Sequence, residues 1–311
     1  MKKFCSYRLP WQKPKASRED PEASELTERV MNSPTYTLAE EDMEFMHSYE
    51  ARAVRLQLDY LKAETVMKNT GVEHTIVVFG SARIKERKTA YENMQKALKK
   101  AEKNPSSKKA IKRLAIAERV LENSLYYDDA RNFGRFVGRC GSGPGDSRIM
   151  LMTGGGPGIM EAANRGAHDV GAKSIGLNIK LPHEQFPNPY VSPELCFQFR
   201  YFSMRKLHFF LRAKALVVYP GGFGTFDELF EIQTLVQTGK TEPIPVVMVG
   251  KEYWKKVIDF ELMRDEGLIA EEDMNIFRMV DSAEDAWRYI LRWHEKNGTP
   301  LLHRGESDGM E

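Results

Sequence analysis

Two glycine-rich stretches, Thr153-Gly-Gly-Gly-Pro-Gly-Ile-Met-Glu161 and Pro220-Gly-Gly-Phe-Gly-Thr-Phe-Asp-Glu228, hold the residues best suited to chemistry. Each follows a short apolar run and precedes a helical pattern. Glycine in such a turn lets backbone N–H groups approach a ligand, and the helix start adds positive potential, a combination suited to a phosphate group. Neither stretch is a P-loop, because no Gly-Lys-Ser/Thr follows. Neither fits GxGxxG with an acid about 20 residues on, so a dinucleotide fingerprint is poorly supported. One glycine turn after a strand serves a tight turn more often than a ligand. Two of them at the carboxyl ends of strands in one sheet point to a ligand, because open α/β sheets bind ligands along that edge.

The acids Asp227 and Glu228 are expected within the first turn of the helix after the second stretch. An acid there complements the helix dipole. Next to a phosphate cradle, at least one of the two is expected to serve chemistry. Arg205 and Lys206 are read as the start of the preceding helix. The dipole disfavours cations at that end, and this local conflict favours a functional role for them.

The elements that must position these residues follow from pattern. Thr75-Ile-Val-Val-Phe79, Ile149-Met-Leu-Met152, Ser174-Ile-Gly-Leu-Asn178, Ala215-Leu-Val-Val-Tyr219 and residues 244–249 are short apolar runs. Such runs suit strands covered on both faces. Helical patterns lie between them at 128–137, 159–168, 205–212 and 226–237. Strand, glycine-rich turn and helix in repetition predict an α/β fold with a Rossmann-like, doubly wound parallel sheet. Residues 1–36 read as a polar tail with prolines at 10, 14, 21 and 34. Residues 37–70 read as one long helix, opened by Thr37 with Glu40 three residues on and closed by Asn69-Thr70-Gly71. At ~1.5 Å per residue its length is about 50 Å. The α/β domain is expected over 71–260, with a helical hairpin inserted at about 86–123, broken at Asn104-Pro-Ser-Ser107. Residues 261–311 read as helices and a tail.

Composition excludes several classes. The chain has 311 residues, 41% hydrophobic and 29% charged, with a formal charge of +2. At roughly 150 residues per domain the prior is about two domains. A disordered chain needs less hydrophobicity and more net charge. No apolar run approaches the ~18 residues of a membrane span. Residues 1–15 lack the apolar stretch of a secretory signal. The scattered Cys5, Cys140 and Cys196 fit neither a disulfide framework nor a structural zinc site. The expectation is a cytoplasmic protein with reduced thiols. The charge is uneven: residues 83–119 hold 13 Lys/Arg against 4 Asp/Glu, a local +9 on a body of −7.

The second glycine stretch resembles the PGGxGTxxE signature of the LOG family. Its members are phosphoribohydrolases that release the base from nucleoside 5′-monophosphates, cytokinin ribotides among them; they were long labelled lysine decarboxylases. The resemblance extends to TGGGPGIMEAANRGA at 153–167, TIVVFGSAR at 75–83, FSMRK at 202–206 and QTGK at 237–240, and covers about 71–260. The GPG and FGSAR wording and the N-terminal extension resemble the longer, bacterial-type branch. The resemblance implies an essential arginine at Arg205, with Lys206 beside it in the pocket, and an essential glutamate at Glu228. It implies a ligand loop of Gly221, Gly222, Phe223, Gly224 and Thr225, with Asp227 nearby. From the first stretch it brings Gly154, Gly155, Gly156 and Gly158. Glu184 aligns with a pocket acid and Thr234 with a helix threonine. Short members have glycine at Glu161, which leaves a ribose contact and a helix-start acid open. No metal and no cofactor are implied.

The implied reaction is hydrolysis of the bond between base and ribose C1′ in AMP or an N6-substituted AMP. Glu228 would stabilise the positive charge on the sugar and orient or deprotonate a water. Arg205 would hold the 5′-phosphate. Three other readings stand beside this one. A nucleotide sensor on the same fold could dispense with Arg205 or Glu228. A lysine decarboxylase would need a Schiff-base lysine, and only Lys206 is near. An interaction module would use the basic hairpin. That hairpin lacks aromatic interleaving, so nucleic acid is not the expected partner. His183 is expected to be solvated and His208 to be a packing residue. The expected partners are a nucleoside monophosphate and a second copy of the chain, in a homodimer or larger homo-oligomer, with no membrane.

Overall fold

The computed structural model describes residues 13–182, 186–303 and 305–310. Seven strands form one sheet: β1 (His74–Phe79), β2 (Ile149–Thr153), β3 (Ser174–Ile179), β4 (Cys196–Phe199), β5 (Ala213–Val218), β6 (Val246–Val249) and β7 (Phe277–Val280). Their order is β4-β3-β2-β1-β5-β6-β7 and every pairing is parallel. The winding reverses between β1 and β5, which places a topological switch point at their carboxyl ends. This is the doubly wound sheet that the strand–turn–helix repetition predicts.

The helices are α1 (Ala23–Met31), α2 (Met43–His47), α3 (Arg52–Asn69), α4 (Arg87–Lys103), α5 (Lys108–Glu122), α6 (Leu125–Arg139), α7 (Ile159–Asp169), α8 (Phe202–Leu211), α9 (Phe223–Gln237), α10 (Lys251–Val257), α11 (Phe260–Asp265) and α12 (Ala283–Lys296). Both sheet faces are covered. Ile76 and Val78 of β1 pack with Phe133 of α6, Ile159 of α7 and Trp287 of α12. The alternate residues Val77 and Phe79 pack with Met67 of α3, Phe209 of α8, Leu229 of α9 and Trp254 of α10. Burial on both faces is why β1 is apolar over Ile76–Phe79 instead of alternating.

The inserted hairpin is present as α4 and α5. The Ser107 hydroxyl accepts the Ala110 N–H at 3.3 Å and caps α5 after the expected break. Two edge strands differ from expectation. β7 lies in the stretch read as helices, and β4 was not anticipated. Both are short edge strands of four residues; β4 buries alternate positions, and in β7 only Val280 is buried. With β7 paired to β6 and Trp287 and Ile290 of α12 in the core, residues 261–311 belong to the α/β unit.

The chain falls into two compact units, Met1–Leu58 and Asp59–Glu311. The first corrects two expectations. The stretch read as a polar tail contains α1, because the prolines at 21 and 34 bracket that helix without interrupting it. The single helix over 37–70 is replaced by α2 and α3. Asp42 caps α2 by accepting the Phe45 N–H at 2.9 Å. Ser48 is extended, and its hydroxyl accepts the Ala51 N–H. Arg55 donates to the Met46 and Ser48 carbonyls, both at 2.6 Å. These side chains offer the backbone an alternative to the helical ladder.

In the second unit, the later turns of α3 hold α8. The Asp59 carboxylate accepts the N–H groups of Arg200 and Tyr201 just before α8 begins. Glu64 accepts from Arg212 just after α8 ends. His208 is buried, 3.2 Å from the Tyr60 carbonyl and stacked on its ring, as a packing residue should be.

The first glycine stretch locks two loops together at Gly158. Its φ is +76°, and a Cβ there would overlap the Ser81 carbonyl oxygen and Ala82. Gly158→Ala is expected to destabilise the protein by about 2–3 kcal/mol, from the left-handed backbone and the clash together. Urea denaturation would read this as a lower midpoint at an unchanged slope.

Candidate active site

A cavity of about 880 Å³ opens at the switch point. That is within the ~300–1,000 Å³ of small-ligand sites. Its walls are residues 80–83 after β1, Met160 on α7, Phe202 and Arg205 on α8, residues 221–228, and Tyr253 and Val257 on α10. The sheet brings Arg205 and Glu228, which are far apart on separate helices, into this one space.

The second glycine stretch supplies the anion site. α9 begins at Phe223, three residues before the position expected from periodicity. Asp227 and Glu228 therefore stand in the second turn, and their dipole-complementing role at the helix start falls away. The N-cap is Gly222, which has no side chain to cap the helix. The first N–H groups of a helix lack intrahelical acceptors. Those of Phe223 and Gly224 lie in the cavity wall, open to an anion. The loop is held from behind. The Tyr253 hydroxyl donates to the Gly221 carbonyl at 2.5 Å, and Thr225 is buried against Gly221.

The first stretch is used differently. Its Gly155 N–H donates to the Thr153 hydroxyl, and the Ile159 N–H at the start of α7 donates to the Ser81 carbonyl. Asn188 donates to the carbonyls of Gly155 and Gly156. Gly154, Gly155, Gly156 and Gly158 thus shape the wall from behind without lining the cavity. Gly154 leaves room for Arg205: a Cβ there would stand 2.6 Å from Arg205 Nη2. Glu161 accepts from the Tyr127 hydroxyl at 2.7 Å and sits outside the cavity lining, as a helix-start acid. Thr234 lies on α9 beyond the site, with its hydroxyl donating to the Phe230 carbonyl. Glu184, with His183, lies outside the described residues.

The electrostatics centre on Glu228. It is 4% exposed, and its Oε2 has no hydrogen-bond partner among the described residues. Burial pushes its pKa from 4.5 up to about 7, against the pull of Lys206 and Arg205 and with help from Glu231 and Asp227. A carboxyl poised near neutrality is the form that acid–base chemistry uses. Arg205 Nε is likewise buried without a partner. Burial lowers the Arg205 pKa, while Glu228 and Asp227 hold it up. Its guanidinium lies 5.1 Å from the Phe209 ring centroid. This is a desolvated, directed cation with hydrogen-bonding capacity to spare.

Lys206 was expected in the pocket beside Arg205, but it is absent from the cavity lining. Its Nζ is 2.5 Å from Glu231, 3.0 Å from Asp227 and 3.5 Å from Glu228. Burial works against its charge, but hydrogen bonds to Glu231 and Asp227 leave its pKa above the ordinary value. Such an ammonium supports Glu228 electrostatically and is unsuited to the neutral-amine role of a Schiff-base lysine. Lys206→Met should push the Glu228 pKa higher still. The acidic limb of kcat/KM against pH is then expected to move upward from about 7.

The sequence reading missed residues 80–83, Met160 and Tyr253. Gly80 and Ser81 do carry a signal, being a glycine turn at the carboxyl end of β1. Tyr253 has none, since its contact with Gly221 spans 32 positions. Among the described residues no cluster of His, Cys, Asp and Glu is arranged to hold a metal. No described helix is long and apolar enough to cross a membrane.

Known proteins are similar to this chain in sequence. A family model described as "Possible lysine decarboxylase" matches residues 160–290, a span that holds Arg205 and Glu228. The chain is 31% identical over 152 residues to cytokinin riboside 5′-monophosphate phosphoribohydrolase LOG of Oryza sativa subsp. japonica, covering 47% of this chain and 60% of that one. It is 31% identical over 137 residues to the probable phosphoribohydrolase LOG4 of the same plant, covering 43% and 58%. To LOG2 of Arabidopsis thaliana it is 29% identical over 156 residues, covering 49% and 72%. The match thus spans about 60% of the length of the two rice relatives. The PGGFGTFDE loop, Arg205 and Glu228 are thus gathered at the switch point of a chain whose sequence is similar to these phosphoribohydrolases.

Proposed function

We propose that the protein is a nucleoside 5′-monophosphate phosphoribohydrolase, cleaving the N-glycosidic bond of AMP or an N6-substituted AMP to give the free base and ribose 5-phosphate. The observation that carries this reading is the buried Glu228 carboxyl, poised near neutrality, in one cavity with Arg205 and the open N-terminus of α9. The names of the relatives support the same reaction class.

The start of α9 and Arg205 bind the 5′-phosphate, and that binding energy sets the sugar in place. The bond from C1′ to the base nitrogen breaks, and the electron pair leaves with the base. Positive charge develops on the sugar, and the Glu228 carboxylate, shielded from water, stabilises it. A water adds to C1′ and gives a proton to Glu228, and that proton passes by way of solvent water to the departing base, which restores the carboxylate. Every step uses groups of this chain, substrate and water.

A panel of nucleoside monophosphates tests the proposal, with chromatographic detection of free base and with adenosine as the phosphate-free control. Base release from at least one monophosphate, and far less from adenosine, is the expected result. Tight nucleotide binding without base release from any of them would favour the sensor reading and sink this one.

A further inference from the structure

The hairpin of α4 and α5 takes no part in the 880 Å³ cavity, yet it holds the chain's densest positive charge. A groove of about 540 Å³ runs between its two helices. Lys96 and Lys100 line it from α4, and Lys109 and Arg113 line it from α5. In each pair the residues are four apart, which is one turn, or about 6 Å along the axis. The half-buried Ala97 and Ala110 form the floor, so the four long exposed side chains rise as two cationic rails.

Three observations define what fits. No acidic side chain lines the groove, and among the described residues none of the four cations is ion-paired. Some surface lysines elsewhere find acids, as Lys256 does with Glu252 and Lys251 with Asp281. Four unpaired cations around one groove repel one another, and an anion between them turns that repulsion into attraction. The groove also contains no aromatic ring, so it has no platform on which a base could stack. The required ligand is compact, highly anionic and elongated over one helical turn.

We propose that this groove binds a short chain of linked phosphoryl groups, as in inorganic polyphosphate or the tail of a nucleoside polyphosphate. Arg113 suits bidentate contact with phosphoryl oxygens, and the three lysines act as point charges along the chain. The site is separate from the cavity at the switch point and does not rest on the proposed activity.

Calorimetry on the full chain with inorganic tripolyphosphate tests the inference, using wild type, the exposed double variant Lys100→Glu/Arg113→Glu, and Arg205→Met. Wild type and Arg205→Met are expected to bind alike, with affinity falling as salt rises. The hairpin variant is expected to bind at least about tenfold more weakly, because two attractive charges become repulsive. Circular dichroism shows whether that variant is folded. ATP in place of tripolyphosphate separates the two ligand sources: equal affinity identifies the bare phosphate chain, and tighter binding identifies a nucleoside polyphosphate. No binding to wild type, binding unchanged in a folded hairpin variant, or binding lost in Arg205→Met would overturn the proposal. So would single-stranded RNA binding tighter than tripolyphosphate at equal phosphate concentration.

Discussion

Glu228→Gln is expected to slow base release from AMP by about 10²–10⁴-fold, the range for losing a positioned acid–base group. Glutamine keeps the shape of the side chain but can neither carry the negative charge nor accept the proton from water. The loss should fall on kcat, because the charge matters most when the sugar becomes cationic. The same variant has a stability signature that separates loss of chemistry from loss of fold. The native pKa of about 7 lies above the ordinary 4.5, so the folded protein holds a proton there that the unfolded chain releases. Stability from this group is fully present below about 4.5 and is lost as pH rises through about 7. The glutamine variant escapes that loss. Its stability relative to wild type should grow across the window and level off above it, by on the order of 3 kcal/mol. Denaturant midpoints at pH 5 and pH 8 would show the difference. A glutamine variant less stable than wild type at pH 8 would contradict the burial cost assigned to Glu228.

Arg205→Met is expected to lower kcat/KM for AMP by about 10–10²-fold, the value of a charge-assisted contact to phosphate. Methionine keeps apolar contact with Phe202 and Phe209 and removes the charge. Adenosine provides the internal control. It has no 5′-phosphate, so its slow turnover should be nearly the same in wild type and variant. An equal fall for AMP and adenosine would place Arg205 at the reacting bond and not at the phosphate.

The strands that the sequence makes legible are those buried on both faces. β1, β2, β3, β5 and β6 are apolar runs with glycine close behind or within, and no other element has that pattern. The edge strands Cys196-Phe-Gln-Phe199 and Phe277-Arg-Met-Val280 are four residues long and only partly buried, too short a stretch to separate from helix or loop. The break between α2 and α3 is hidden because Ser48 and Arg55 make it with side-chain hydrogen bonds that hydrophobic spacing does not record. In the site, Arg205, Glu228 and the loop after β5 are readable from residue type and placement. The two glycine stretches look alike in sequence and differ in use. In the first stretch the Gly155 and Ile159 N–H groups are already taken, by the Thr153 hydroxyl and by the carbonyl of Ser81, a partner distant in the chain. Lys206 could not be placed behind Glu228 without knowing how α8 crosses α9.

The most direct test is AMP incubated with wild type and with Glu228→Gln near pH 8, followed by quantification of adenine and ribose 5-phosphate. The expected result is that wild type yields both products in equal amounts and the variant yields almost none while remaining folded. Intact AMP in the wild-type reaction, or equal adenine release by both proteins, would contradict a phosphoribohydrolase built on Glu228.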